Sequence, residues 1–311
     1  MNATTLNTHS FWAYIQLMRP ANIITAWADV LAGFATTGFI ILTTEEVFQG
    51  IELAQLVPLV WLLLATSGLY GGGIVFNDVF DAEIDATERP ERPIPSGRAS
   101  RMGAAFLGAS LLIVGILAAF QVTWLSAILA CGVAAAALLY DAYSKHHAIF
   151  GPLNMGLCRG GNLLLGVSAA SSMVSEYWAL ALIPIVYIAA ITTMSRGEVH
   201  GGKGSNNSLI ALLLIITVIA GMLGLGLLKN YQIISALPFV VLLAARVLLP
   251  FIKAVSEPSP DNIRKAVRAG VLSLIVLDAT ISAGFGSMTY GLLVLLLLPI
   301  SMALSQIFAV T

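Results

Sequence analysis

The chain has 311 residues, of which 58% are hydrophobic and only 10% charged, against roughly 25% charged in an ordinary soluble domain. Its mean hydropathy is +0.92 and its formal net charge is −1. These values exclude a soluble enzyme, a disordered chain and a nucleic-acid binder, because too little polar or basic surface exists to cover a core or hold a polyanion. They describe an all-α, polytopic transmembrane helical bundle, since only a helix satisfies its own backbone in lipid without closing a barrel.

In chain order, the aromatic and amphipathic stretch Phe11–Met18 is expected at the membrane surface. A helix needs roughly 20 apolar residues to cross the hydrocarbon core. Ten stretches meet or nearly meet that length: 22–42, 56–76, 102–120, 122–140, 152–170, 177–194, 208–228, 233–253, 266–284 and 287–309. The last two are separated by so few residues that they form a tight hairpin or one bent unit. No internal repeat or low-complexity linker divides the chain, so 1–311 reads as one membrane domain. No basic residue precedes Arg19, which argues against a cleaved signal peptide. Cys131 and Cys158 both lie in apolar runs and read as small packing residues.

Lysine and arginine set the expected orientation. With a cytoplasmic N-terminus, twelve of the fifteen fall on one side, Lys229 alone falls on the other, and Arg159 and Arg246 lie within spans. That bias places the polar loops in the cytoplasm of what reads as a bacterial inner-membrane protein.

The most informative segment closes the second span. In Asn77-Asp78-x-x-Asp81-x-x-x-Asp85, a regular helix turns by about 100° per residue. With Asp78 at zero, Asp85 falls at about 340°, Asp81 at about 300° and Asn77 at about 260°. Three carboxylates on one face repel one another unless a cation sits among them. Mg²⁺ suits an oxygen-only donor set and is commonly shared between carboxylates and phosphates. The following run, Glu88 to Arg101, adds Arg89, Arg92, Arg98 and Arg101, and its prolines are expected to hold it extended. Acids that hold a metal, next to guanidinium groups, are what a diphosphate requires.

These residues, with Arg92-Pro93-Ile94-Pro95-Ser96-Gly97, resemble the first aspartate-rich motif of the UbiA superfamily of intramembrane prenyltransferases. Arg19-Pro20-x-Asn22 resembles the opening of that family. Tyr143-Ser144-Lys145, Asn154 and Arg159-Gly160 also follow its pattern. The resemblance covers about 12–285 and leaves 287–309 as an extra C-terminal span beyond the family's usual nine helices. It implies transfer of a prenyl group from its diphosphate to an acceptor, commonly aromatic, inside the membrane. Under it Asp78, Asp81 and Asp85 bind Mg²⁺ and are catalytic, while Arg19, Asn77, Lys145, Asn154 and Arg159 bind the diphosphate.

The family's second motif, two aspartates four apart, falls at Ser195-Arg-Gly-Glu-Val-His-Gly-Gly202. Glu198 stands for the first acid and joins the metal and catalytic set, but Gly202 occupies the place of the second. Arg196 and Lys203 are further candidate diphosphate ligands. The same stretch resembles the EboC-like branch of the superfamily. Two readings follow: a working prenyltransferase, or a non-catalytic relative that binds or transports a lipid or small molecule. Asp278, within the ninth span, reads as a structural hydrogen-bonder of the interior, and Asp29, within the first, reads either so or as a contact of the acceptor.

Overall fold

The computed structural model describes residues 3–39, 53–145, 147–196 and 206–308. Among these the chain is helical throughout, with α1 Ala3–Met18, α2 Pro20–Ala35, α3 Leu53–Phe80, α4 Ala82–Glu88, α5 Arg101–Phe120, α6 Trp124–Leu139 and α7 Phe150–Val167. There follow α8 Ser171–Tyr177, α9 Leu182–Ser195, α10 Asn207–Gly224, α11 Ile233–Ser256, α12 Pro260–Leu272, α13 Leu274–Phe285, α14 Met288–Leu295 and α15 Leu297–Ile307. Eight helical stretches among the described residues are long and apolar enough to cross a membrane. The chain is a multi-pass integral membrane protein.

Several helix starts are written locally. Ser100, Thr123, Ser259 and Ser287 each accept a backbone N–H through the side-chain oxygen at the beginning of α5, α6, α12 and α14. The bundle is inside-out relative to a soluble protein. Phe106, Ile113, Leu117 and Phe120 of α5 are exposed, as are Leu209, Leu213 and Ile216 of α10, because lipid tails are as apolar as a core. The centre is held by α2 and α13. Within Pro260–Phe285, 72% of the most apolar window is buried, against 22% within Asn207–Leu227.

Small residues let the central helices approach. Gly33 of α2 faces the backbone of Leu163 and Val167, and Gly166 of α7 faces that of Val30, with no room for a Cβ on either. The expected ninth span is two helices meeting at Ser273, and the tenth is split at Leu296. The tenth packs back on the start of the bundle. Ser301 donates to the Ala21 carbonyl at 3.0 Å, Tyr290 to the Leu31 carbonyl at 3.0 Å, and Phe308 stacks on Trp12. The proline-rich loop after α4 is not extended as expected. Ser96 N–H bonds Arg92 O, Gly97 N–H bonds Ile94 O and Ala99 N–H bonds Pro93 O, with Gly97 at φ 73°. These turns fold the loop back over the end of α3 and deliver Arg92 to the acids.

Candidate active site

The acids gather where α3 gives way to α4. The regular helix stops at Phe80, and Asp81 (φ −86°, ψ 1°) bends the chain before α4. Hydrogen bonds from Asp81 N–H to Asn77 O and from Asp85 N–H to Asp81 O carry across the bend, so the expected arc survives it. The arc divides in two. Asp78 and Asp85 face the arginines: Arg19 Nη2 donates to Asp78 Oδ1 at 2.7 Å, and Arg92 Nη1 donates to Asp85 Oδ2 at 2.7 Å and reaches Asp78 Oδ1 at 3.3 Å. Asn77 and Asp81 face the end of α6: Asn77 Nδ2 donates to Asp141 Oδ1 at 2.8 Å, and Lys145 pairs with Asp81.

Two backbone features aim these cations. Arg19 sits between α1 and α2 at φ 46°, ψ 68°, a left-handed conformation that costs a non-glycine residue roughly 1–2 kcal/mol. Pro20 then opens α2, so the kink points the guanidinium at Asp78 while the helix turns into the bundle. After Leu139 the last turn of α6 widens into a five-residue π-type turn, Tyr140–Ser144, closed by Lys145 N–H to Tyr140 O at 3.0 Å. Such turns recur at functional sites because they re-aim side chains. Asn154 Nδ2 donates to Ser144 Oγ at 2.8 Å and so braces this turn from α7.

Among the described residues no three acidic, histidine or cysteine side chains converge on one point. Arginine and lysine separate the acids instead. This arrangement fits Mg²⁺, which takes oxygen ligands, commonly binds through one or two carboxylates plus phosphates, and needs no all-protein cage.

The remaining candidates divide between this site and other places. Arg159 is a correction: it does not reach the acid cluster. It is buried mid-bundle, with Nη1 to Asp29 Oδ2 at 2.7 Å, Nη2 to Thr25 Oγ1 at 2.6 Å and its guanidinium 4.9 Å from the Tyr70 ring centre. Asn162 donates to Asp29 Oδ2 and accepts from Thr66, which completes a network spanning α2, α3 and α7. A long arginine in the apolar interior takes the nearest carboxylate. Arg196 is exposed and donates to the His147 carbonyl at 2.7 Å. Glu198, Lys203 and Gly202 lie outside the described residues.

The profile of the UbiA prenyltransferase family matches residues 31–275. The chain belongs to that family. It is 31% identical over 215 residues to digeranylgeranylglyceryl phosphate synthase of Methanothrix thermoacetophila, a match covering 66% of this chain and 76% of that protein. The protein of the same name from Ignicoccus hospitalis is 30% identical over 190 residues, covering 61% of this chain and 58% of that protein. A solved structure of digeranylgeranylglyceryl phosphate synthase shares the fold with TM-score 0.68 and 20% identity, covering 89% of this chain and 98% of that one. A UbiA homologue from Archaeoglobus fulgidus bound to GPP and Mg²⁺ shares it with TM-score 0.60 and 15% identity, covering 91% and 99%.

Sequence reasoning on this UbiA-family chain missed two partners. Arg92 was legible only as one of four loop arginines, because its reach depends on how the loop turns. Asp141, in Tyr140-Asp-Ala-Tyr-Ser-Lys145, carried one signal: an acid four residues before a lysine at a span end.

Proposed function

We propose that the chain transfers a prenyl group from a prenyl diphosphate to an acceptor at the end of the bundle where α3, α4 and α6 meet, and that it needs Mg²⁺ to do so. The observation that carries this reading is the alternation of Asp78, Asp81 and Asp85 with Arg19, Arg92 and Lys145 at the edge of an apolar bundle. It is supported by the relatives named as digeranylgeranylglyceryl phosphate synthases and by the homologue bound to GPP and Mg²⁺.

In this reading Asp78, Asp81 and Asp85 present the oxygens that hold Mg²⁺, and Glu198 adds a carboxylate from the second motif. Mg²⁺, when bound, supplies charge neutralisation for the departing diphosphate. Arg19, Arg92 and Lys145 exchange carboxylate oxygens for phosphate oxygens, with Asn77, Arg196 and Lys203 as further donors. The C1–O bond of the prenyl diphosphate breaks, and the electron pair leaves with the diphosphate. The acceptor then bonds to C1 and loses its proton. The apolar bundle keeps water from the allylic cation. Asn154 acts through Ser144 by fixing the turn that carries Lys145, and Arg159 holds α2, α3 and α7 together. The lysine and arginine asymmetry supports a site facing the cytoplasm.

The relatives' names favour an acceptor of the prenylated glyceryl phosphate class. An aromatic acceptor, which the sequence resemblance suggested, is the alternative. The test incubates the full chain in lipid nanodiscs with geranyl, farnesyl or geranylgeranyl diphosphate, Mg²⁺ and each acceptor class, and reads products by mass spectrometry. A product with the mass of acceptor plus prenyl group is expected. Diphosphate binding with no product from either class would contradict the reading and favour a non-catalytic protein.

A further inference from the structure

We infer that Asp141 is a fourth carboxylate of the metal–diphosphate site, supplied by the π-type turn that closes α6. This rests on the reading of the α3 acids as a Mg²⁺–diphosphate site and assigns one more residue to it.

The first argument is register. Asn77 and Asp81 stand four residues apart on α3, and Asp141 and Lys145 stand four residues apart on the turn. The two pairs meet rung to rung, Asn77 on Asp141 and Lys145 on Asp81. The widened turn therefore brings both side chains out on the side that faces α3. Asp141 has Lys145, Asp81 and Asp78 as its charged neighbours, so it is inside the cluster.

The second argument is charge. Asp141 is only 4% exposed, and a buried carboxyl stays charged only beside a cation. Its direct partner is the neutral Asn77 amide, and the Lys145 ammonium is engaged with Asp81. Arg19 and Arg92 are engaged with Asp78 and Asp85, and Lys145 with Asp81, so Asp141 has no direct basic partner among the described residues. A divalent cation between Asp81 and Asp141 would supply one.

The test uses the full chain in nanodiscs with geranyl thiolodiphosphate, a slowly ionising donor analogue, and reads its binding against Mg²⁺ and Mn²⁺ concentration. Asp141→Asn keeps an oxygen for the Asn77 amide and removes the charge. It is expected to raise the half-saturating Mg²⁺ concentration by about 10-fold or more, the range seen when groups around a metal are lost. Asp141→Glu keeps the charge on a longer arm and is expected to change the ratio of half-saturating Mg²⁺ to Mn²⁺ several-fold, since Mg²⁺ is strict in geometry. The ratio is internal to one preparation and so is insensitive to partial misfolding. If Asp78→Asn shifts the Mg²⁺ dependence while both Asp141 variants leave midpoint and ratio within twofold of the unsubstituted chain, Asp141 is structural only. If the unsubstituted chain shows no divalent dependence, the site reading itself fails and takes this inference with it.

Discussion

Two clusters of buried arginine and aspartate lie along the same part of the molecule, and they differ in what they leave open. At the end of α3, side-chain exposure is 20% for Asp81, 16% for Arg19 and 13% for Lys145, against 6% for Asp78 and 7% for Asp85, so the cluster is open on its Asp81 side. Mid-bundle, Asp29 is 0% and Arg159 7% exposed, with Thr25, Asn162 and the Tyr70 face filling the surroundings. The outer cluster spreads its acids over helices that end there and over a loop. The inner one ties α2, α3 and α7 together, and α2 and α7 meet backbone to backbone at Gly33 and Gly166. An intramembrane ionisable residue is a functional candidate by default; this pair of clusters shows that access, more than charge, separates a site from a clamp.

The comparison breaks most sharply at the outer cluster. Asp81→Ala is expected to lower the rate of prenyl diphosphate ionisation by about 10³-fold, equivalent to several kcal/mol of metal-borne charge stabilisation, with the thermal unfolding midpoint little changed. Arg159→Ala reverses the pattern. It strands a buried Asp29 carboxylate, which costs roughly 3–5 kcal/mol, while activity per folded molecule stays within a few-fold. Thermal unfolding and activity measured on one preparation decide the case, and a fully folded but inactive Arg159→Ala would reassign Arg159 to the site. Gly33→Ala is expected to cost about 1–3 kcal/mol by forcing α2 from α7, read as a lowered unfolding midpoint. The smallest effect is at the exposed Arg101–Glu83 pair, 3.2 Å apart, where removing either partner should change stability by about 0–1 kcal/mol. A larger change would mean that the α4 segment is tied down more firmly than this exposed contact suggests.

Much of this was readable from residue order. The helical arc from Asn77 to Asp85 follows from geometry alone, and the structure divides it in two. The pair near 260–300° faces α6, and the pair near 340–0° faces the arginines. Eight of the ten expected spans were legible because lipid demands long apolar helices, apart from breaks such as that at Ser273 between α12 and α13, and the expected 22–42 and 152–170 are not among the eight. Three features were not legible, two because they are long-range and one because it depends on how a loop turns. Arg159 meets Asp29 across 130 positions, Asn77 meets Asp141 across 64, and Arg92 depends on turns that the prolines do not dictate. A mid-span arginine announces that a partner exists but not which one. The second motif, including Glu198 and Lys203, falls outside the described residues, so its role stands on the sequence resemblance alone.

The most direct measurement is release of inorganic pyrophosphate from geranylgeranyl diphosphate by the full chain in nanodiscs, with and without Mg²⁺, for the unsubstituted protein, Asp81→Ala and the double replacement Asp29→Asn with Arg159→Met. The account predicts Mg²⁺-dependent release that Asp81→Ala abolishes and that the folded double variant keeps. Release that survives in Asp81→Ala, or that is lost in a folded double variant, would contradict the division between an open site and a closed clamp.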